Sequence, residues 1–144
     1  MLRSILGGIA GYIVMFVFIF TTFTALFLAL GVDATFAPGT YDVSMTWIAI
    51  STVLGTVAAI VGGYLAAVIG KGFTAVKILA GIILVMGVLT IAMMLMTPPP
   101  AGARIAGEVA NLEAMTKAQT PIWTAILNPI IGIIGAVIGG RLRK

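Results

Sequence analysis

The chain has 144 residues, a net charge of +4, and 61% hydrophobic against 8% charged residues. That balance excludes a water-soluble globule, which could not cover so much apolar surface. With no cysteine and no histidine, disulfides, thiolate or imidazole catalysis and the usual transition-metal ligands are excluded too.

Four windows carry no charged side chain: Ser4 to Val32, Val43 to Gly70, Ile78 to Ala103 and Ala118 to Gly140. Each matches or exceeds the roughly 20 apolar residues an α-helix needs to cross about 30 Å of hydrocarbon. The expectation is an all-α integral membrane protein, a four-transmembrane-helix bundle in one domain. Its spans are expected over residues 4–30, 44–70, 73–96 and 121–140, with outer loops 31–43 and 97–120.

The first span follows Met1-Leu2-Arg3, and its apolar run is about twice the 7 to 15 residues of a signal peptide, so it reads as a retained helix. Gly7 and Gly11 form a GxxxG pair, and Phe16, Phe20, Phe23 and Phe27 recur at helical spacing as an aromatic stripe. That stripe suits lipid or a neighbouring helix; a flat seat for a pigment or quinone ring is the alternative. In the loop that follows, Pro38-Gly39 is a turn signal beside Asp33 and Asp42.

Ser44 is the expected N-cap of the second span, and Tyr41, Trp47 and later Trp123 fit an interfacial aromatic belt. Gly55, Ala59, Gly63 and Ala67 then make a small-residue ladder at i+4 spacing. In lipid no hydrophobic force drives helices together, so close backbone approach at such ladders supplies much of the association energy. After the turn Gly70-Lys71-Gly72, the third span is rich in methionine toward its far end. It stops at Thr97 and the prolines Pro98 to Pro100.

Within loop 97–120, Ile105, Val109, Leu112 and Met115 share one helical face, flanked by the i,i+4 pairs Arg104–Glu108 and Glu113–Lys117. A short amphipathic helix is expected there. The fourth span should start with Thr120 as N-cap and Pro121 at the first helical position. It contains Asn128-Pro129 and two further ladders, Gly132, Ala136 and Gly140 beside Gly135 and Gly139. Like openings (Trp47 to Ile50, Trp123 to Ile126) and like closings (Ala67 to Lys71, Ala136 to Arg141) raise a second possibility, two hairpins related by a parallel repeat.

With four crossings, Arg3, Lys71, Lys77, Arg141, Arg143 and Lys144 fall on one side, and Asp33, Asp42, Glu108 and Glu113 on the other. The positive-inside rule makes the basic side cytoplasmic, with both termini there, and a bacterial inner membrane suits the compact size. This sorting accounts for the net charge without a nucleic-acid partner.

Polar residues also sort by depth. Thr21, Thr22, Thr24, Ser51, Thr52, Thr56, Thr90, Thr124 and Asn128 occupy the outer halves, whereas glycine and alanine fill the inner halves. The candidate polar pocket or kink therefore comprises Asn128, Pro129, Thr52, Thr56 and Thr21. Pro129 withholds the donor that the Ala125 carbonyl would otherwise meet. Equally, the hydroxyls can bond back to carbonyls of their own helix.

The apolar windows hold no ionisable group, which speaks against a proton-driven pump. Glu108 and Glu113 diverge on a helix, so no metal site is expected, and no catalytic residue is assigned. The expected role is non-catalytic: an accessory subunit that packs against other membrane proteins or copies of itself through its small-residue faces. The alternative is a small channel, carrier or binder of a lipid or hydrophobic ligand that uses the hydroxyl-lined outer half. No cofactor is required by either reading, although a bound lipid or pigment is compatible with both.

Overall fold

A computed structural model describes residues 1–97 and 111–143. In chain order the described helices are α1 (Leu2–Thr35), α2 (Met45–Gly70), α3 (Phe73–Met96), α4 (Asn111–Lys117) and α5 (Ile122–Leu142). The fold is all-helical, and α1, α2, α3 and α5 are long and apolar enough to cross a membrane. Their outward faces carry continuous apolar stripes, such as Ile9, Ile13, Phe16, Val17 and Phe20 on α1 and Ile126, Ile130 and Ile134 on α5. A surface of that kind would aggregate in water and suits acyl chains. We read the chain as an integral membrane protein.

Local chemistry explains where the helices begin and end. Ser44 caps α2 by accepting from the Trp47 amide at 3.2 Å, while its own hydroxyl donates to the Ala34 carbonyl at 2.9 Å. α1 runs five residues past its expected end. Gly31, at φ 74°, breaks the regular geometry, and one further turn re-forms with the Thr35 hydroxyl donating to the Gly31 carbonyl at 2.8 Å. α5 starts at Ile122 without a side-chain cap, one residue later than expected, because Pro121 and not Thr120 occupies the capping position. At the other end of α2 the positive φ of 54° falls on Lys71 and not on either flanking glycine. The Gly72 amide there closes the helix on the Ala67 carbonyl at 3.1 Å.

The four long helices stand at the corners of a square in the order α1, α2, α5, α3. α1 packs on α2 and α3, and α5 packs on the same two, while α1 and α5 do not touch. α2 explains this arrangement. Ala58-Ala59, Gly62-Gly63 and Ala66-Ala67, with Gly70, place two small-residue ladders one residue apart, which is about 100° around a helix. One ladder receives α1: a methyl group on Gly7 would lie 2.6 Å from the Gly70 nitrogen, and one on Gly11 would lie 2.6 Å from the Gly62 carbonyl. The other receives α5: Gly63 abuts Ala136, Gly139 abuts the Ile60 carbonyl, and a methyl on Gly135 would lie 2.8 Å from the Ala59 Cβ. Two partners a right angle apart become opposite corners. A parallel repeat with its axis along the bundle would put α1 and α3 at opposite corners, yet they are neighbours.

α3 fills the last corner with larger side chains. Ala75, Val76 and Leu79 are fully buried, with Ile78 against Gly8, Leu79 against Gly11 and Val76 against Gly140. Gly70 and Ala75 touch beside the 71–72 turn, so two small residues let α2 and α3 meet at their shared end and then separate. Both termini gather here as well. Arg3 Nε donates to the Ile69 carbonyl at 3.1 Å, and Arg143 donates to the Ala67 carbonyl. Two guanidinium groups thus satisfy carbonyls in the last turn of α2, where the helix dipole favours cations. We call this the turn end.

The opposite, cap end holds a second core of Phe27, Phe36, Val43, Ile48 and Ala114. Phe36 bridges Val43 antiparallel, and Asp42 bridges Gln119 in parallel. Val43 N donates to the Gln119 carbonyl at 2.9 Å, and Gln119 N donates to the Tyr41 carbonyl at 2.8 Å. The first outer loop and the stretch after α4 are therefore stitched together. The Glu113–Lys117 pair forms at 2.6 Å, and the ammonium also lies 5.5 Å from the centre of the Tyr41 ring. Glu113, by hydrogen bonding first and by its charge, holds the Lys117 pKa above its ordinary value. The Arg104–Glu108 pair, Ile105 and Val109, the side chains of Leu112 and Met115, and Lys144 lie outside the described residues.

Candidate functional site: a cavity among the four long helices

Because α2 and α3 touch beside their turn and then diverge, the bundle is dense at the turn end and loosens toward the cap. A cavity of about 330 Å³ occupies the loosened half. α1 contributes Tyr12, Met15, Ile19 and Phe23; α2 contributes Ser51, Thr52 and Gly55. From α3 come Ile83, Met86, Gly87 and Thr90, and from α5 Ala125, Asn128, Pro129, Ile131 and Gly132. All four long helices line one space. From Tyr12 to Phe23 it extends for about 16 Å along the bundle at 1.5 Å per residue, roughly half a hydrocarbon core.

Two features hold the space open. On α2, a methyl group at Gly55 would meet nothing within 4 Å, so this rung of the ladder faces the void. On the far side, the Pro129 ring sits against Gly87, where an added methyl would lie 2.5 Å from Cγ. That contact and the one between Gly132 and Ile83 keep α3 and α5 packed along this side of the cavity.

The polar lining has a definite hydrogen-bonding character. Thr52 donates to the Ile48 carbonyl at 2.7 Å, Ser51 to the same carbonyl at 3.1 Å, and Thr90 to the Met86 carbonyl at 2.9 Å. A carbonyl can only accept, so each hydroxyl proton is engaged and each oxygen keeps lone pairs for another donor. Pro129 leaves the Ala125 carbonyl without its intrahelical donor as well. The Asn128 carboxamide makes no hydrogen bond to any described residue. No Asp, Glu, Lys or Arg is among the described lining residues.

No family model matches this chain, and no curated protein or solved structure matches it either.

The residues singled out from the sequence fall into three groups. Asn128, Pro129 and Thr52 meet at the cavity, and Gly55, assigned to helix packing, joins them there. Gly7, Gly11, Ala59, Gly63, Gly132, Gly135, Ala136, Gly139 and Gly140 lie at contacts between helices of the same chain. Ala67 is buried beside them. Thr56 and Thr21 stand apart: Thr56 bonds back to the Thr52 carbonyl at 2.7 Å, and Thr21 is exposed. Of the aromatic residues, Trp123 is about half exposed, whereas Tyr41 is buried under Lys117 in the cap. Trp47 packs edge-on against Phe23 and Phe27. The phenylalanine stripe divides: Phe16 and Phe20 stack together on the outside, Phe23 lines the cavity, and Phe27 is buried in the cap core.

Sequence reasoning missed Tyr12, Phe23, Ile83 and Met86 as lining residues. Nothing in one helix distinguishes them from residues that face lipid. The second ladder, Ala58, Gly62, Ala66 and Gly70, was legible and would have placed α1.

Proposed function

We propose that this protein binds a small, mainly apolar molecule inside the membrane, in the cavity among its four long helices, and does no chemistry on it. The observation that carries the reading is a cavity lined by residues of all four spans, edged with polar oxygens and open beside Met86, Thr90 and Asn128, which are exposed. Ligand sites characteristically combine an apolar lining with a few convergent polar groups, in volumes from about 300 Å³ upward. The void also borders Thr52 and Asn128, which an apolar packing surface would not need.

The orientation proposed with it has the turn end in the cytoplasm of a bacterial cell. Arg3, Lys71, Lys77, Arg141 and Arg143 belong to that end, and Asp33, Asp42 and Glu113 to the cap end, in the sense of the positive-inside rule. Because the chain has no cysteine, single substitutions Arg3→Cys and Ala118→Cys give clean reporters. A membrane-impermeant maleimide added to intact cells should label the second and spare the first; the reverse pattern overturns the orientation.

The binding reading is tested with Gly55→Leu, which projects a side chain into the cavity from a position where an added Cβ meets nothing within 4 Å. Hydrophobic photoprobes should label Met15, Ile83 or Ile131 in the wild type and lose that labelling in the variant. Labelling confined to outward residues such as Phe16, Leu84 and Ile130 in both proteins refutes it. An accessory role beside other membrane proteins drew on small-residue faces in excess of internal need. Most of those residues meet helices of the same chain, while Gly55 faces open space, and we put the binding reading ahead of the accessory one.

A further inference from the structure

The shape and hydrogen-bonding sense of the cavity narrow the ligand class further. The lining residues run along about 16 Å of bundle axis, an elongated shape that suits an extended hydrocarbon chain. Along that length the lining is graded. Met15, Ile83 and Gly132 surround the deeper part above Tyr12 at its lower limit, and Thr52, Thr90 and Asn128 surround the part toward the cap.

In that upper part the hydroxyl protons of Ser51, Thr52 and Thr90 are already engaged by Ile48 and Met86 carbonyls. What they offer a guest is acceptor lone pairs, joined by the Ala125 carbonyl that Pro129 leaves without a donor. The Asn128 carboxamide adds an acceptor oxygen and two N–H donors. A guest head that only accepts can bond the Asn128 amide alone and leaves the other oxygens unmet. A charged head would be buried without a counter-charge, at a cost far above that of a neutral group.

Resting on the binding reading above, we propose that the cavity selects a single-chain amphiphile with an uncharged, hydrogen-bond-donating head, of the alcohol or primary-amide class. The head lies among Thr52, Thr90 and Asn128, and the chain runs toward Met15 and Ile83. Thr52 and Asn128 are then the residues that set specificity.

The test uses the full chain in liposomes and four photoprobes that carry the same mid-chain diazirine. One is a long-chain primary alcohol, one its methyl ether, one the matching carboxylate and one the quaternary ammonium. The alcohol should label Met15, Ile83 or Ile131 about three- to tenfold more than the ether, the worth of about one net hydrogen bond. The carboxylate and the ammonium should leave those residues unlabelled. Thr52→Val keeps the branched shape and removes the acceptor, so it should reduce alcohol labelling while leaving ether labelling unchanged. Equal cavity labelling by alcohol and ether, or entry of either ion, overturns the proposal and leaves the binding reading standing. If no probe labels the cavity residues, both fall.

Discussion

Gly63 and Gly55 sit on the same ladder of the same helix, two turns apart, and do opposite things. Gly63 is pressed against the Ala136 backbone, whereas a side chain at Gly55 would meet nothing within 4 Å. The difference is in the neighbours. At the turn end, α2 is gripped on two faces by α1 and α5 and touched by α3 through Gly70 and Ala75. Toward the cap α3 has diverged from α2, the Pro129 ring of α5 is seated on Gly87 of α3, and Gly55 is left facing open space. A glycine therefore has no fixed meaning in a membrane helix; what stands opposite decides whether it is a seam or a wall.

Substitutions along that ladder are the sharpest way to break the comparison. Gly63→Leu should destabilise the protein by about 3 kcal/mol or more, since backbone and not a flexible side chain stands in the way. A fall in Tm or loss of the folded species in detergent checks it. Gly55→Leu should leave Tm unchanged or raise it. If the two variants behave alike, the distinction between a packed and an open half is lost. One step smaller, Gly11→Val should cost about 1–3 kcal/mol by pushing α1 off Gly62 and Ala66, read out the same way.

Two changes at the turn end sharpen it from the other side. Lys71→Gly relieves a left-handed conformation that disfavours side chains by about 1 kcal/mol, and should raise Tm with no effect on probe labelling. Arg143→Ala removes a cation from the last turn of α2, worth about 0.3–1 kcal/mol, and should lower Tm, again with the cavity unaffected.

The smallest effect belongs to the cap. Lys117 in the folded state has a pKa raised above its ordinary 10.5, chiefly by its hydrogen bond to Glu113. Its contribution is therefore complete below the unfolded value and is lost as pH rises through the folded one. Wild type should exceed Glu113→Gln slightly in Tm at neutral pH, and the gap should close in strong alkali.

The two ends also differ in how far local sequence reveals them. The turn end is nearly all short-range chemistry: i+4 ladders, a helix-ending turn and cations beside carbonyls are each visible in a few residues. The cavity is a property of spacing between helices. Tyr12, Phe23 and Met86 look like any other lipid-facing residues until α3 is seen to diverge from α2. The cap was the least legible. Phe36, Tyr41 and Val43 join the neighbourhood of Gln119 and Ala114 across some seventy residues of chain, and no periodicity records such a pairing.

Composition and apolar window length alone determined that this is an all-helical protein with four long apolar spans, because backbone in lipid must satisfy its own hydrogen bonds and a helix does so locally. The doubled ladder on α2 also encoded that two helices would pack against it about a right angle apart. Only the tertiary structure decided which small residues meet backbone and which border a void. That outcome depends on crossing geometry and on one proline ring seated against one glycine, neither of which any single helix contains.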